Sequence, residues 1–177
     1  MSVLVNEGLN LEIIDIISEI STKLKTKTFL VGGYVRDLLI GRKSKDIDVL
    51  VIGDGISFAS EVKKKLDSKA NLQIFKNFGT AMIAYNDLEI EFVGSRKESY
   101  QKNSRNPVVS IGTFEDDISR RDFTINSIAI SLNEDNKGKI IDLFDGVHDL
   151  EKGIIKTPKD PKITFYDDPL RMMRAVR

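Results

Sequence analysis

The sequence predicts an α/β (α+β) domain, in which helices pack against the strands of a sheet. Three observations carry this expectation. Helix-periodic and strand-like segments alternate early in the chain, short strands in turn-linked pairs follow, and a proline-punctuated helical stretch comes last. From Leu11 to Leu24 the apolar residues recur at helical spacing, which predicts one amphipathic helix. Thr28–Val31 is a short β-branched and aromatic strand ending at Gly32-Gly33, and Tyr34–Ile40 reads as a helix stopped by Gly41. Asp46–Ile52 is a buried strand closed by Gly53-Asp54-Gly55, and Phe58–Leu66 is a helix with a lysine-rich exposed side. Thr80–Tyr85 and Leu88–Val93 form a hairpin about Asn86-Asp87, with Phe75 to Phe78 as part of a preceding strand. Ser95–Ile111 is polar, basic and aperiodic and reads as a mobile loop.

Further along, Glu115–Asn126 opens with acids, as helix N-termini prefer. Ile128–Leu132 and Lys139–Asp142 read as a second hairpin around Asn133–Gly138, followed by a short helix after Asp145-Gly146. The connector Thr157–Pro161 leads to Asp168-Pro169, which places proline in the first turn of a helix still in full amphipathic pattern at Arg177. That ending predicts a boundary inside a larger protein.

Composition narrows the chemistry. Among 177 residues, 41% are hydrophobic and 31% charged, as expected of a globular domain with a core. Lys+Arg and Asp+Glu both total 27, so any nucleic-acid affinity must come from charge placement rather than net charge. Basic residues gather in Arg96–Asn106 and acids in Glu115-Asp116-Asp117. With no cysteine and a single histidine, His148, thiolate chemistry, disulfides and Cys-type zinc sites are excluded. No apolar run approaches the roughly 18 residues of a membrane span, and no secretory leader pattern opens the chain, so a cytoplasmic protein is expected.

The most informative pair is Asp46 and Asp48, separated by Ile47. On a strand, residues two apart share a face, so both carboxylates project to one point. Two such charges side by side call for a cation, and a hard divalent ion held with substrate phosphates suits an all-oxygen site. Upstream, Gly32-Gly33 allows close backbone approach at a helix start, where N–H groups meet phosphate. Glu89 and Glu91 are both candidates for a third carboxylate, since they share one face of their strand. On a continuous helix, Arg121, Asp122 and Asn126 fall within one face able to reach a ribose and a triphosphate; a capped, charged surface helix reads equally well. Asp168 suits an N-cap, and with Arg171 it also suits reading the edge of a base. Lys63-Lys64-Lys65 reads as a solvated helix face and His148 as an ordinary surface residue.

Five blocks in order then resemble the head domain of the class II tRNA nucleotidyltransferase (CCA-adding enzyme) and bacterial poly(A) polymerase family. They are Leu30–Asp37, Asp46-Ile47-Asp48, Arg120–Asn126, Ile141–Gly146 and Asp167–Arg177, and the match runs from about Thr28 to the last residue. The resemblance implies a polymerase-β-like nucleotidyltransferase fold with a mixed five-stranded sheet and helices on one side. It implies that Asp46 and Asp48 bind catalytic Mg2+ and activate an RNA 3′-hydroxyl for in-line attack on the α-phosphate of ATP or CTP. Glu91 stands where the family has its supporting carboxylate. Gly32, Gly33 and Arg36 would hold the triphosphate, and Arg121, Asp122 and Asn126 the ribose. Asp168 and Arg171, with Arg174 in the same block, would read C or A. Asp167 departs from the family, which more often has glutamate there. The implied organisation is a head over residues 1–160 and the start of a helical neck over 161–177. The implied partner is the tRNA 3′ end, the implied product CCA, with poly(A), A-only or CC-only addition as alternatives. A head without neck, body and tail is expected to act weakly alone, and a non-catalytic RNA-binding role is the remaining alternative.

Overall fold

The computed structural model describes residues 5, 8–66, 70–99 and 107–176. A seven-stranded mixed sheet organises it. The strands are β1 (Thr28–Val31), β2 (Asp46–Val51), β3 (Asn71–Phe75), β4 (Thr80–Tyr85), β5 (Leu88–Gly94), β8 (Ile128–Ser131) and β9 (Ile140–Asp142), in spatial order β3-β4-β5-β2-β1-β8-β9. Only β2 and β5 run parallel; every other neighbouring pair is antiparallel. The five strands implied by the resemblance become seven because each outer strand is the hairpin partner of its neighbour. β3 pairs with β4, and β9 with β8.

Alternation along the strands separates the two faces of the sheet. Ile47, Val49, Val51, Ile90, Phe92, Ala81 and Ile83 point to one face, all essentially without solvent exposure. Helices α1 (Glu12–Leu24), α2 (Gly32–Leu39) and α3 (Gly55–Lys65) cover that face with Ile13, Ile14, Ile17, Val35, Phe58 and Val62. Each large side chain taken fully from water there contributes about 1.5–3 kcal/mol. The other face carries Asp46, Asp48, Glu89 and Glu91, alongside a smaller cluster of Phe29, Val31, Leu50, Ala129 and Ile118. Helix α4 (Phe114–Ser119) packs over that cluster, with the Phe114 ring 4.5 Å from Phe29. The three helices of the main core therefore lie on one side, and α4 sits on the side of the carboxylates.

Three local readings change. The Ser95–Ile111 segment is not simply a loop: β6 (Arg96–Ser99) and β7 (Val108–Ile111) pair as an antiparallel ribbon. The β-branched Val108, Val109 and Ile111 that support this strand are exposed, so no period-2 burial signal marks it. The centre of that segment, with Lys102 and Arg105, lies outside the described residues. The helix predicted over Glu115–Asn126 ends at Ser119, where Arg120 takes the C-cap. The Asp122 carboxylate then accepts the N–H of its neighbour Phe123 (2.8 Å), and a 3-10 turn spans Thr124–Asn126. Such a local side-chain bond competes with continuation of the helix. After α5 (Gly146–Lys152), the terminal stretch holds two helices rather than one, α6 (Pro161–Asp167) and α7 (Leu170–Val176). Asp160 caps the first through Lys162 N–H (2.7 Å), and Asp168 accepts from Leu170 N–H (3.2 Å) at the start of the second, the N-cap role expected of it. Among the described residues no helix is long and apolar enough to cross a membrane.

Candidate active site

The parallel pairing of β2 with β5 sets Asp46 opposite Glu89 and Asp48 opposite Glu91. Register alone therefore brings Asp48 and Glu91 together on the open face, and Val31 flanks Asp48 from β1. A cleft of about 740 Å³ opens over this row. Gly32, Gly33, Arg36, Asp48, Glu91, Arg121, Asp122, Asn126, Asp168, Arg171 and Arg174 all line it. Asp46 stands apart from these, exposed at the start of β2 on the same face.

Gly32 is placed where a side chain does not fit. Its φ is +74°, and a Cβ there would lie 2.8 Å from Asp48 Oδ2 and 3.3 Å from an Arg121 Nη. Helix α2 starts at this glycine, and its N-cap Val31 supplies no side-chain hydrogen bond, so its first N–H groups have no side-chain cap at the cleft wall. Gly32→Ala is expected to combine left-handed strain of about 1–2 kcal/mol with displacement of Asp48 or Arg121. ATP titration calorimetry on the variant should show weakened binding; wild-type affinity would remove this role from the glycine.

Asp48 is held at about 6, well above its ordinary 3.8. Burial is the main cause; Arg121 opposes it, and the carboxylates of Glu91 and Asp46 add to it. Among the described residues no three histidine or acidic side chains already close into a metal cage. What the residues offer is a pair of carboxylates on one strand face with a third beside it, an oxygen-only donor set short of positive charge. A divalent ion that completes its shell with water and substrate oxygens fits that set.

Arginines line the opposite wall. Arg36 Nη1 donates to Asn126 Oδ1 (2.9 Å), Asn126 Nδ2 donates to Asp122 Oδ1 (3.0 Å), and Arg36 also pairs with Asp37 (2.8 Å). Arg174 Nε lies 3.0 Å from Asp122 Oδ2, although that oxygen has no partner in hydrogen-bond geometry. The turn after α4 thus gathers Arg121, Asp122 and Asn126 by folding back, where the sequence reading had placed them along a helix face.

Two residues to which the sequence reading gave no site role, Asp117 and Glu98, complete this wall together with Arg120. Asp117, fully buried, accepts from Arg121 Nη2 (3.0 Å) and Arg120 Nε (3.0 Å). Arg120 Nη1 continues to Glu98 (2.9 Å), which also takes Arg96 (3.0 Å) and lies 3.9 Å from Arg171. The signal for Asp117 was present as the i,i+3 and i,i+4 spacing to Arg120 and Arg121. For Glu98 it was the shared strand face with Arg96, hidden while that segment was read as a loop.

Fold and cleft define a mixed α/β head domain with a carboxylate row facing an arginine wall. Over residues 28–156 the sequence matches the model of the Poly A polymerase head domain. The chain belongs to that family. It is 36% identical over 169 residues to an A-adding tRNA nucleotidyltransferase of Halalkalibacterium halodurans, covering 95% of this chain and 39% of that protein. It is 38% identical over 153 residues to a CCA-adding enzyme of Ligilactobacillus salivarius, covering 85% of this chain and 35% of that one. A solved complex of a CCA-adding enzyme with ATP superposes with a TM-score of 0.82 at 32% identity, over 98% of this chain and 39% of that chain. The sequence thus spans well under half the length of these relatives.

Proposed function

We propose that this chain is the catalytic head of a tRNA nucleotidyltransferase that adds CCA to tRNA 3′ ends from CTP and ATP. The observation that carries the reading is the row formed by Asp48 and Glu91 across parallel strands, with Asp46 on the same face and Arg121 opposite. Asp46 and Asp48 would hold Mg2+, with Glu91 in support. When bound, the ion supplies charge neutralisation at the α-phosphate and a lowered pKa at the attacking hydroxyl. The chain's own groups do the positioning. The N–H groups that open α2 and the Arg36 and Arg121 guanidiniums meet triphosphate oxygens, which they match as fixed donors. Asp122 and Asn126, locked to each other and to Arg36, present a polar edge of the size of a ribose. Asp168 and Arg171, at the start of α7, offer an acceptor and a donor fork to the edge of a base. Residues 161–177 would then begin a helical neck.

A second reading, addition of A alone, is favoured by the A-adding relative, whose identity to this chain is similar to that of the CCA-adding one. Transfer assays separate them. The full-length enzyme that carries this head is given tRNA lacking CCA, ending in C, or ending in CC, with CTP, ATP or both. Completion of all three acceptors supports CCA addition; extension of the CC-ending acceptor alone, with ATP, supports A addition. No incorporation on any acceptor would sink both readings.

A further inference from the structure

We infer that Phe75 and Phe78, at the end of β3 and in the turn that follows, form a stacking platform for the 3′-terminal base of the RNA being extended. This rests on the proposed function, because it assigns the side of the cleft from which the attacking RNA enters. The sheet order makes the assignment. The groups offered above to the triphosphate and ribose lie on the β1–β8 side of Asp48: the start of α2, Arg36, and the Arg121–Asn126 turn; the base-edge pair Asp168 and Arg171 stands apart from them, with Arg171 3.9 Å from Glu98. On the other side come Glu91 in β5, then β4, then β3. In-line displacement sets the attacking and leaving oxygens on opposite sides of phosphorus. With the triphosphate on one side of the carboxylate row, the RNA 3′-hydroxyl belongs on the other.

What stands there is aromatic and unburied. Register places Phe75 opposite Thr80 and Thr80 opposite Val93, and this cross-strand row neighbours the one that holds Glu91 and Asp48 on the same face. Two strand spacings, about 10 Å, separate β3 from the strand of Glu91, and a third, about 14 Å in all, separates it from the strand of Asp48. Phe75 is 40% exposed and Phe78 70% exposed, yet both line the same cleft as Asp48. The other phenylalanines among the described residues are at least partly covered, most of them deep in the core. Exposed Lys76 lies between the two phenylalanines in sequence, so the segment Phe75–Phe78 carries a cation together with two aromatic side chains, the combination that binds single-stranded RNA. A ring face accepts any base. That tolerance suits an acceptor end whose last base changes as it grows, whereas a hydrogen-bonding pocket would have to be rebuilt at each addition.

The test is a binding cycle that needs no catalysis. An acceptor-stem RNA hairpin with an unpaired 3′ nucleotide is compared with the same RNA lacking its 3′-terminal base, by fluorescence anisotropy. Wild type is expected to bind the intact RNA roughly tenfold more tightly, the scale of one base stacked on an aromatic ring. In Phe78→Ala and Phe75→Ala that difference should shrink, and in the double variant vanish. Phe78→Trp should restore it, and Phe78→Leu, which keeps apolar area without a π face, should not. In transfer assays the same alanine changes should raise KM for the RNA and leave KM for the nucleotide unchanged. Equal loss for intact and abasic RNA, or rescue by leucine, would overturn the platform. Nucleotide transfer with no coupling in the cycle overturns the platform alone. A cycle that behaves as expected in a protein that transfers nothing overturns the proposed function instead and leaves the platform standing.

Discussion

Asp48→Asn is expected to make this domain more stable at neutral pH while removing nucleotide transfer. An aspartate whose pKa rises on folding, here from 3.8 to about 6, favours the folded state at low pH. That contribution is present below about pH 4 and is lost as the pH climbs through 6. Above it, the ionised carboxylate is a half-buried charge beside Glu91 and Asp46, only partly offset by Arg121, and it destabilises by roughly 3 kcal/mol relative to an unperturbed group. Asparagine keeps the shape and drops the charge. Thermal melts without metal should show a gain of about 1–3 kcal/mol at pH 7, a Tm rise of about 2–12 °C, and a flatter stability profile between pH 4 and 6. Mg2+ should raise the Tm of wild type by mass action and do little for the variant. A variant less stable than wild type at pH 7 would show that the Arg121 attraction outweighs the repulsion. This opposition of stability to chemistry is characteristic of functional sites.

Asp117→Ala should have the largest effect in the other direction. The carboxylate is completely buried and accepts from both Arg120 and Arg121, whose side chains are themselves only 14% and 17% exposed. Removing one member of a buried ionic cluster leaves the others unpaired in a low-dielectric setting and costs about 3–5 kcal/mol. Equilibrium urea unfolding should show a loss in that range, and nucleotide transfer should fall further than the loss of folded protein explains, because Arg121 is no longer held over Asp48. A loss below about 1 kcal/mol would mean that Arg120 and Arg121 find solvent or other partners readily. Arg120 retains Glu98, so a cycle of Asp117→Ala with Glu98→Gln should be strongly non-additive.

Much of the domain was legible because its signals are local. The helix of Glu12–Leu24, the strand at Thr28–Val31, the hairpin about Asn86-Asp87 and the hairpin ending at Asp142 each follow from short-range periodicity and turn chemistry. Asp46 and Asp48 could be read as one face because strand alternation is a two-residue rule. The β6–β7 ribbon was not legible: its apolar side chains are exposed, so nothing in the hydrophobic pattern marked it. The break after Ser119 was missed because a helix-compatible sequence is ended there by one Asp122 carboxylate binding its own neighbour's N–H.

What the sequence determined by itself was the inventory: a carboxylate pair on one strand face, glycines at a helix start, and arginines spaced to meet an anion. Tertiary structure decided which carboxylate joins the pair, since Glu89 and Glu91 are equivalent within their own strand. Parallel pairing with β2 puts Glu91 beside Asp48 and leaves Glu89 with exposed Asp46. It also decided that Asp117 and Glu98 brace the arginine wall, and that Phe75 and Phe78 stand on the far side of the carboxylates. Strand order and register are set by contacts between segments distant in the chain, and local pattern carries no record of them.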